Sequence, residues 1–337
     1  MAIEHPDREW IERTIASLEA WLRTDVDTPT SQITGGGAIG RVEARLSALH
    51  SDRPVVLMPS ATGALHAVLS AVGVGPGDEV LIPDHDWTSS LAVVRMLGAT
   101  PVAVPVDPTT LTIDPAAALV RLSAATRAVI ATHLFGIAAD VPALRVALPG
   151  VVIVEDCAQA LGSTLDDRPV GSLGDAAVLS MGPGKRLDVG ELGALVLCDA
   201  DLRTAVLRVA AHPVRQRLGG VRLPRLDAFA VRPHPLAAVL LDAALSDDDP
   251  GAVIEAHRRT ARALAARGVR VLGADERRGV AANTLVLAPD RYTSTTIAAH
   301  VGHVDVIDIG ALASGSSTLR RYPVVAVDAP VIQDVRG

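Results

Sequence analysis

Aromatic side chains are scarce in this 337-residue chain, at 2% of positions. A core with so few rings must rest on alanine, valine, leucine and isoleucine interdigitating, and each of the three tryptophans becomes a position to account for. Cysteine is nearly absent too. Cys157 and Cys198 are too few for a disulfide framework, a thiolate zinc site or an iron–sulfur cluster. No charge-free apolar run reaches membrane-spanning length, and residues 1–13 are polar, without the apolar stretch of a leader. The expectation is a cytoplasmic protein with no membrane partner. Net charge is −7 and the arginines are dispersed, so no basic face offers itself to nucleic acid.

The most informative scarcity is lysine. Lys185 stands alone among arginines. Arginine serves wherever a permanent positive charge suffices, but its guanidinium does not readily shed a proton to become an amine nucleophile. A primary amine does. Lys185 follows Gly182-Pro183-Gly184, small residues suited to a tight turn where backbone approaches a ligand closely. The chemistry that needs such an amine is imine formation with a carbonyl, most commonly that of pyridoxal 5'-phosphate. A solvated surface lysine left by an arginine-biased composition is the alternative.

Apolar spacing predicts helices over residues 10–23 and 39–49, separated by Gly35-Gly36-Gly37. Strand-like segments follow at 54–58, 79–82, 101–106, 127–132, 151–154, 176–180 and 192–198, interleaved with helical ones at 64–72, 89–97, 114–122 and 139–148. That alternation predicts an α/β protein, a mostly parallel central sheet with helices on both faces. After residue 202 the chain reads as arginine-rich and irregular up to a helix at 235–245. Asp247-Asp248-Asp249-Pro250 is a polar break. It divides an N-terminal segment and large domain, 1–250, from a small α+β domain, 251–337. The smaller part reads as a helix at 252–267, strands at 269–272, 284–287 and 304–307, and a helix at 295–301.

Candidate functional groups gather just after the strands, where ligands of open α/β sheets sit. The first strand runs into Ser60-Ala61-Thr62-Gly63, either a phosphate cradle at a helix N-terminus or a plain helix cap. Trp87 follows the second strand, as a flat ring to stack on a heterocycle or as core filler. His133 suits a hydrogen-bonded core position as well as a catalytic one. The apolar run Val151-Val152-Ile153-Val154 delivers Glu155-Asp156 to its end, where acids rarely sit unpartnered. Asp156, with Gln159 three residues on, is the stronger candidate.

Glu155-Asp156-Cys157-Ala158-Gln159-Ala160-Leu161-Gly162, then Val170-Gly171-Ser172-Leu173-Gly174-Asp175, then Ser180 through Lys185, come in one order. With Gly77-Asp78-Glu79-Val80-Leu81-Ile82-Pro83 and His133-Leu134-Phe135-Gly136, they resemble the sugar aminotransferase family named after DegT, DnrJ, EryC1 and StrS over residues 39–199. The resemblance implies a fold type I transferase dependent on pyridoxal 5'-phosphate. It implies that Lys185 holds the cofactor aldehyde as an internal aldimine and then shuttles a proton, and that Asp156 pairs with the pyridine nitrogen. By the same resemblance Gln159 bonds the phenolic oxygen, Trp87 stacks on the ring, and Ala61, Thr62 and Ser180 hold the phosphate. His133 and Arg232 would belong to the substrate site or the subunit interface, and no metal is implied. The implied reaction moves an amino group from glutamate or glutamine to a keto group of a sugar, cyclitol or related specialised-metabolism intermediate, in a homodimer.

This chain also departs from the family pattern. Ala230 stands where an asparagine from the neighbouring subunit is usual, Leu192 where a glycine is, and Ile137 where a glutamine is. Two alternatives therefore stay open: a pyridoxal-phosphate-dependent dehydration, aromatisation or cyclisation, and a non-catalytic relative.

Overall fold

The protein is described here from a computed structural model covering residues 8–24, 31–266, 268, 270–281, 284–287, 304–307 and 324–327. Helices α1 (Arg8–Thr24), α2 (Ser31–Thr34) and α3 (Gly37–Leu49) precede the central sheet. The chain then alternates through β1 (Val55–Met58), α4 (Ala61–Ala71), β2 (Glu79–Pro83), α5 (Thr88–Met96), β3 (Thr100–Val104), α6 (Pro115–Arg121), β4 (Thr126–Thr132), α7 (Val141–Ala147) and β5 (Val152–Asp156). A short hairpin, β6 (Thr164–Leu165) and β7 (Arg168–Pro169), leads to β8 (Ala176–Ser180) and β9 (Gly193–Leu197).

The seven-stranded sheet has the order β1-β9-β8-β5-β4-β2-β3. Pairs β2–β3, β2–β4, β4–β5 and β5–β8 are parallel, and only β9 runs against the rest. Parallel strands covered on both faces carry continuous apolar runs, and the side-chain period of two sorts them. Val56, Val154, Val178 and Leu195 pack with Leu65 and Val68 of α4 on one face, while Leu57, Leu179 and Val196 pack with Ile39 and Val42 of α3 on the other. Ile153, Val129 and Leu81 form a third cluster under α6 and α7. With every strand of the parallel set pointing the same way, the strand ends Met58, Pro83, Thr132, Asp156 and Ser180 share one edge of the sheet.

The first part of the stretch after residue 202, read as irregular, is instead helical: α8 (Ala200–Ala210) and α9 (Pro213–Leu218), with residues 219–234 irregular as expected. Their capping explains it. Asp199 accepts from Leu202 N at 2.8 Å, and His212 Nδ1 accepts from Val214 N at 3.2 Å with Pro213 opening the helix. Beyond α10 (Pro235–Ala244) and α11 (Pro250–Ala265), a four-stranded sheet has the order β10-β12-β14-β13, formed by β10 (Arg270–Val271), β12 (Thr284–Leu287), β13 (Val304–Ile307) and β14 (Val324–Val327). Between the first two, β11 (Arg278–Gly279) returns to pair with β6. Arg277 clamps that return, with Nε and Nη2 donating to Asp166 at 2.9 Å and Nη1 to Asp140 at 2.6 Å. The helix expected at 295–301 lies outside the described residues, among which no helix is long and apolar enough to cross a membrane.

Candidate active site

The shared strand edge brings most of the candidate side chains together. At β1, Ser60 caps α4, its Oγ accepting from Gly63 N at 3.1 Å. That leaves the N–H groups of Ala61 and Thr62 at the helix start without an acceptor among the described residues. They sit where the helix dipole is positive. Ser180 is delivered to the same place by register: it pairs with Gly193, and Gly193 presses on the α4 entry. A Cβ on Gly193 would stand 2.3 Å from the Ser60 carbonyl carbon and 2.5 Å from Ala61 N, so only glycine permits the approach.

Asp156 ends β5, buried, with Oδ1 accepting from Ala158 N at 2.9 Å. Burial raises its pKa, while the Ala158 N–H and the Lys185 charge pull the other way. Lys185 lies half-buried in the turn between β8 and β9. Burial lowers the pKa of its amine, against the opposing pull of Asp156 and Glu191. The amine is thus within electrostatic reach of the Asp156 carboxylate rather than out in bulk water. Trp87, between β2 and α5, keeps 59% of its surface exposed, which rules out the core-filler reading and leaves a ring available beside the strand ends. Gln159 Oε1 accepts from Phe135 N at 2.8 Å. Its acceptor is thereby committed, and its Nε2 donors are the free end.

His133 is corrected by the structure. It is fully buried, its Nδ1 accepts from Ala139 N at 2.9 Å and its Nε2 meets Glu155 Oε2 at 2.9 Å. The Ala139 N–H fixes the tautomer, so Nε2 is the donor. With both nitrogens engaged inside the protein, it has nothing to offer a substrate or a partner subunit. Glu155, its acceptor, is as deeply buried and also takes the N–H groups of Gly171, Leu173 and Gly174 at 2.8, 2.7 and 2.6 Å. Burial alone would raise its pKa; the His133 hydrogen bond and the backbone donors outweigh that and hold it low. His133, Glu155 and Cys157 bring ligand atoms within 4.8 Å of one another, as a metal site would. The lone pairs that an ion would need on His133 and Glu155 are already spent on these hydrogen bonds.

Arg232 is exposed, and no hydrogen bond or ion pair of the described residues ties it to the other candidates. Ile137 is buried and packs where a Gly273 side chain would otherwise sit, holding the start of the smaller sheet rather than facing the site. Two participants were not singled out from the sequence. Phe135 has φ 54°, unusual for a non-glycine residue, and this turn is what aims its N–H at Gln159. Asp86 precedes Trp87 and bonds Ser90, Thr132 and the Trp87 N–H. Its signal was its place in the turn after β2, four residues ahead of a serine on α5.

A lone antiparallel strand in an otherwise parallel sheet, with the only lysine on the turn entering it, defines the class of the protein: an α/β fold that presents one amine at the shared strand edge. Solved structures agree on that fold. The chain superposes on 3-amino-5-hydroxybenzoic acid synthase with a TM-score of 0.79 at 23% identity, covering 99% of this chain and 94% of that one. A sugar aminotransferase from Micromonospora echinospora gives 0.75 at 23%, covering 96% and 93%.

The chain belongs to the DegT/DnrJ/EryC1/StrS aminotransferase family, whose model matches residues 22–225. Among curated relatives, the L-glutamine:scyllo-inosose aminotransferase of Streptomyces griseus is 37% identical over 226 residues, 64% of this chain and 53% of that protein. The L-glutamine:2-deoxy-scyllo-inosose aminotransferase of Micromonospora echinospora is 39% identical over 164 residues, 48% of this chain and 39% of that protein. The chain thus spans about half the length, or less, of the curated relatives it matches.

Proposed function

We propose that this protein is a pyridoxal 5'-phosphate-dependent aminotransferase acting on a keto group of a cyclitol or related sugar-like intermediate, with glutamine as the favoured amino donor. The donor and the substrate class follow the names of the relatives. The observation that carries the reading is one strand edge holding an amine of lowered pKa, a buried carboxylate, and two helix N–H groups without an acceptor among the described residues. That donor set fits the cofactor, and the Gly193 contact keeps the backbone cradle of α4 clear of side chains.

Ala61 N–H, Thr62 and the Ser180 hydroxyl would bind the phosphate against the positive end of α4. Asp156 would hold a proton on the pyridine nitrogen, and Gln159 Nε2 would donate to the phenolic oxygen, its orientation set by Phe135. Trp87 would cover one ring face and exclude water from it. When bound, the cofactor supplies an electron sink for negative charge developing at the substrate carbon. Lys185, neutral at lower pH than an ordinary lysine, would take the proton from that carbon and return it to the cofactor carbon beside it.

Leu218 at the end of α9 and Leu223, Leu226 and Phe229 in the segment between α9 and α10 are 69–81% exposed. An apolar surface of this kind supports a homodimer, with Arg232 close by in sequence at its margin. The division at residue 250 into a larger and a smaller lobe belongs to the same proposal. The test is a half-reaction: purified protein reconstituted with pyridoxal 5'-phosphate and given L-glutamine should yield pyridoxamine phosphate, and then aminate scyllo-inosose. Absence of pyridoxamine phosphate with any amino donor would move the reading to a dehydrating or aromatising enzyme; absence of cofactor binding would leave a non-catalytic relative.

A further inference from the structure

Asp86 has no part in the reading above, although it lies within electrostatic reach of the Asp156 carboxylate. It stands in the turn between β2 and α5, and three donors converge on it. Trp87 N donates to Oδ1 at 2.7 Å, while Ser90 Oγ and Thr132 Oγ1 donate to Oδ2 at 2.7 and 2.9 Å. Thr132 is the residue of β4 that lies in register with Asp156 of β5. The Thr132 bond therefore brings the two carboxylates to the same edge of the site. Ser90 is fully buried, so its hydroxyl serves Asp86 from inside the protein. The charged or titratable groups around the pair are His133 at the end of β4, Asp156 on β5 and Lys185 from the β8–β9 turn. Two like charges in such a place resist ionising together. Burial first, then the Asp156 charge, push the Asp86 carboxyl up to about 7.

We propose that Asp86 is a positioning residue of the cofactor site: it shares one proton with Asp156 in the cofactor-free protein, and both face the pyridine edge as carboxylates once the ring is seated. The inference rests on the site being a pyridoxal-phosphate site. The proton balance is simple. The O–H bond within the carboxyl pair breaks, that proton passes to solvent, and the ring nitrogen keeps its own N–H against two negative charges instead of one. Asp86 acts through Asp156, not by contact with the reacting carbon.

The experiment compares cofactor affinity of the wild type and Asp86→Asn by equilibrium dialysis of the full chain against pyridoxal 5'-phosphate from pH 5.5 to 8.5. Ionisations of the cofactor itself cancel in the ratio of the two Kd values. Only the wild type must lose the shared proton to bind. The ratio, variant over wild type, should therefore rise about tenfold from pH 6 to pH 8 and level off above that, with the variant the weaker binder at the plateau. Asp86→Glu, which keeps a carboxylate, should restore the pH-dependent part. A pH-independent ratio would mean that Asp86 only braces the Trp87 turn, and would overturn this inference while leaving the cofactor site intact. Failure of the wild type to bind the cofactor at any pH would overturn both.

Discussion

Replacing Glu155 by glutamine changes one oxygen to an amide in a fully buried setting, and the geometry states what that does. In the wild type Oε2 accepts from His133 Nε2 and Gly171 N, and Oε1 from Leu173 N and Gly174 N. Whichever way the amide turns, its NH2 faces two donors that it cannot satisfy. His133 cannot escape by switching tautomer, because Nδ1 is held as acceptor by Ala139 N. Two hydrogen bonds to a charged group are lost, each worth roughly 1.5–3 kcal/mol. The predicted destabilisation is about 3–6 kcal/mol, a large share of the ~5–15 kcal/mol that holds a typical domain folded. Chemical denaturation of the two cofactor-free proteins at pH 7 measures it.

The pH dependence of that difference has a definite sign. Glu155 has a folded pKa below the ordinary glutamate value, so its stabilisation is complete above that ordinary value and fades as pH falls through the folded pKa. The gap between wild type and Glu155→Gln should therefore be full at neutral pH and shrink only in acid. A gap under about 1 kcal/mol at pH 7 would refute the account of this carboxylate as the hub of the β5–β8 connection.

Two further substitutions bear on the site itself. Lys185→Arg keeps the positive charge but removes the condensing amine; mass spectrometry after borohydride treatment with pyridoxal 5'-phosphate should find a fixed adduct at Lys185 in the wild type and none in the variant. Because the amine has a lowered pKa, the wild-type adduct should form at neutral pH, well below the range in which an ordinary lysine is largely neutral. Gly193→Ala inserts a methyl into the Ser60–Ala61 backbone; denaturation should show about 1–3 kcal/mol lost, and the displaced α4 entry should weaken pyridoxal 5'-phosphate binding in the same dialysis assay.

Much of the site could be seen in the sequence because its residues carry unusual signals. Lys185 is the only amine of its kind, and Asp156 ends an apolar run that announces a buried parallel strand. Glu155 beside it was harder to judge. Successive residues of a strand point to opposite faces, and which of two adjacent acids meets the ligand depends on what packs against each face. Nothing local singles out Asp86, because its significance comes from Thr132, 46 residues away. His133 stayed ambiguous for the same reason, since Ala139 and Glu155 decide its tautomer and its isolation.

From the sequence alone followed the α/β class, the alternating strands and helices, the lone amine, the tryptophan after β2 and the acid at the end of β5. These are local properties: period, turn residues and composition act within a few residues along the chain. The strand order, the reversed β9, the closing of Gly193 on the α4 entry, the burial of His133 with Glu155 and the meeting of Asp86 with Asp156 came only with the tertiary structure. They depend on which distant segments share a sheet register, and hydrogen-bond partners and burial costs exist only once that register has been set.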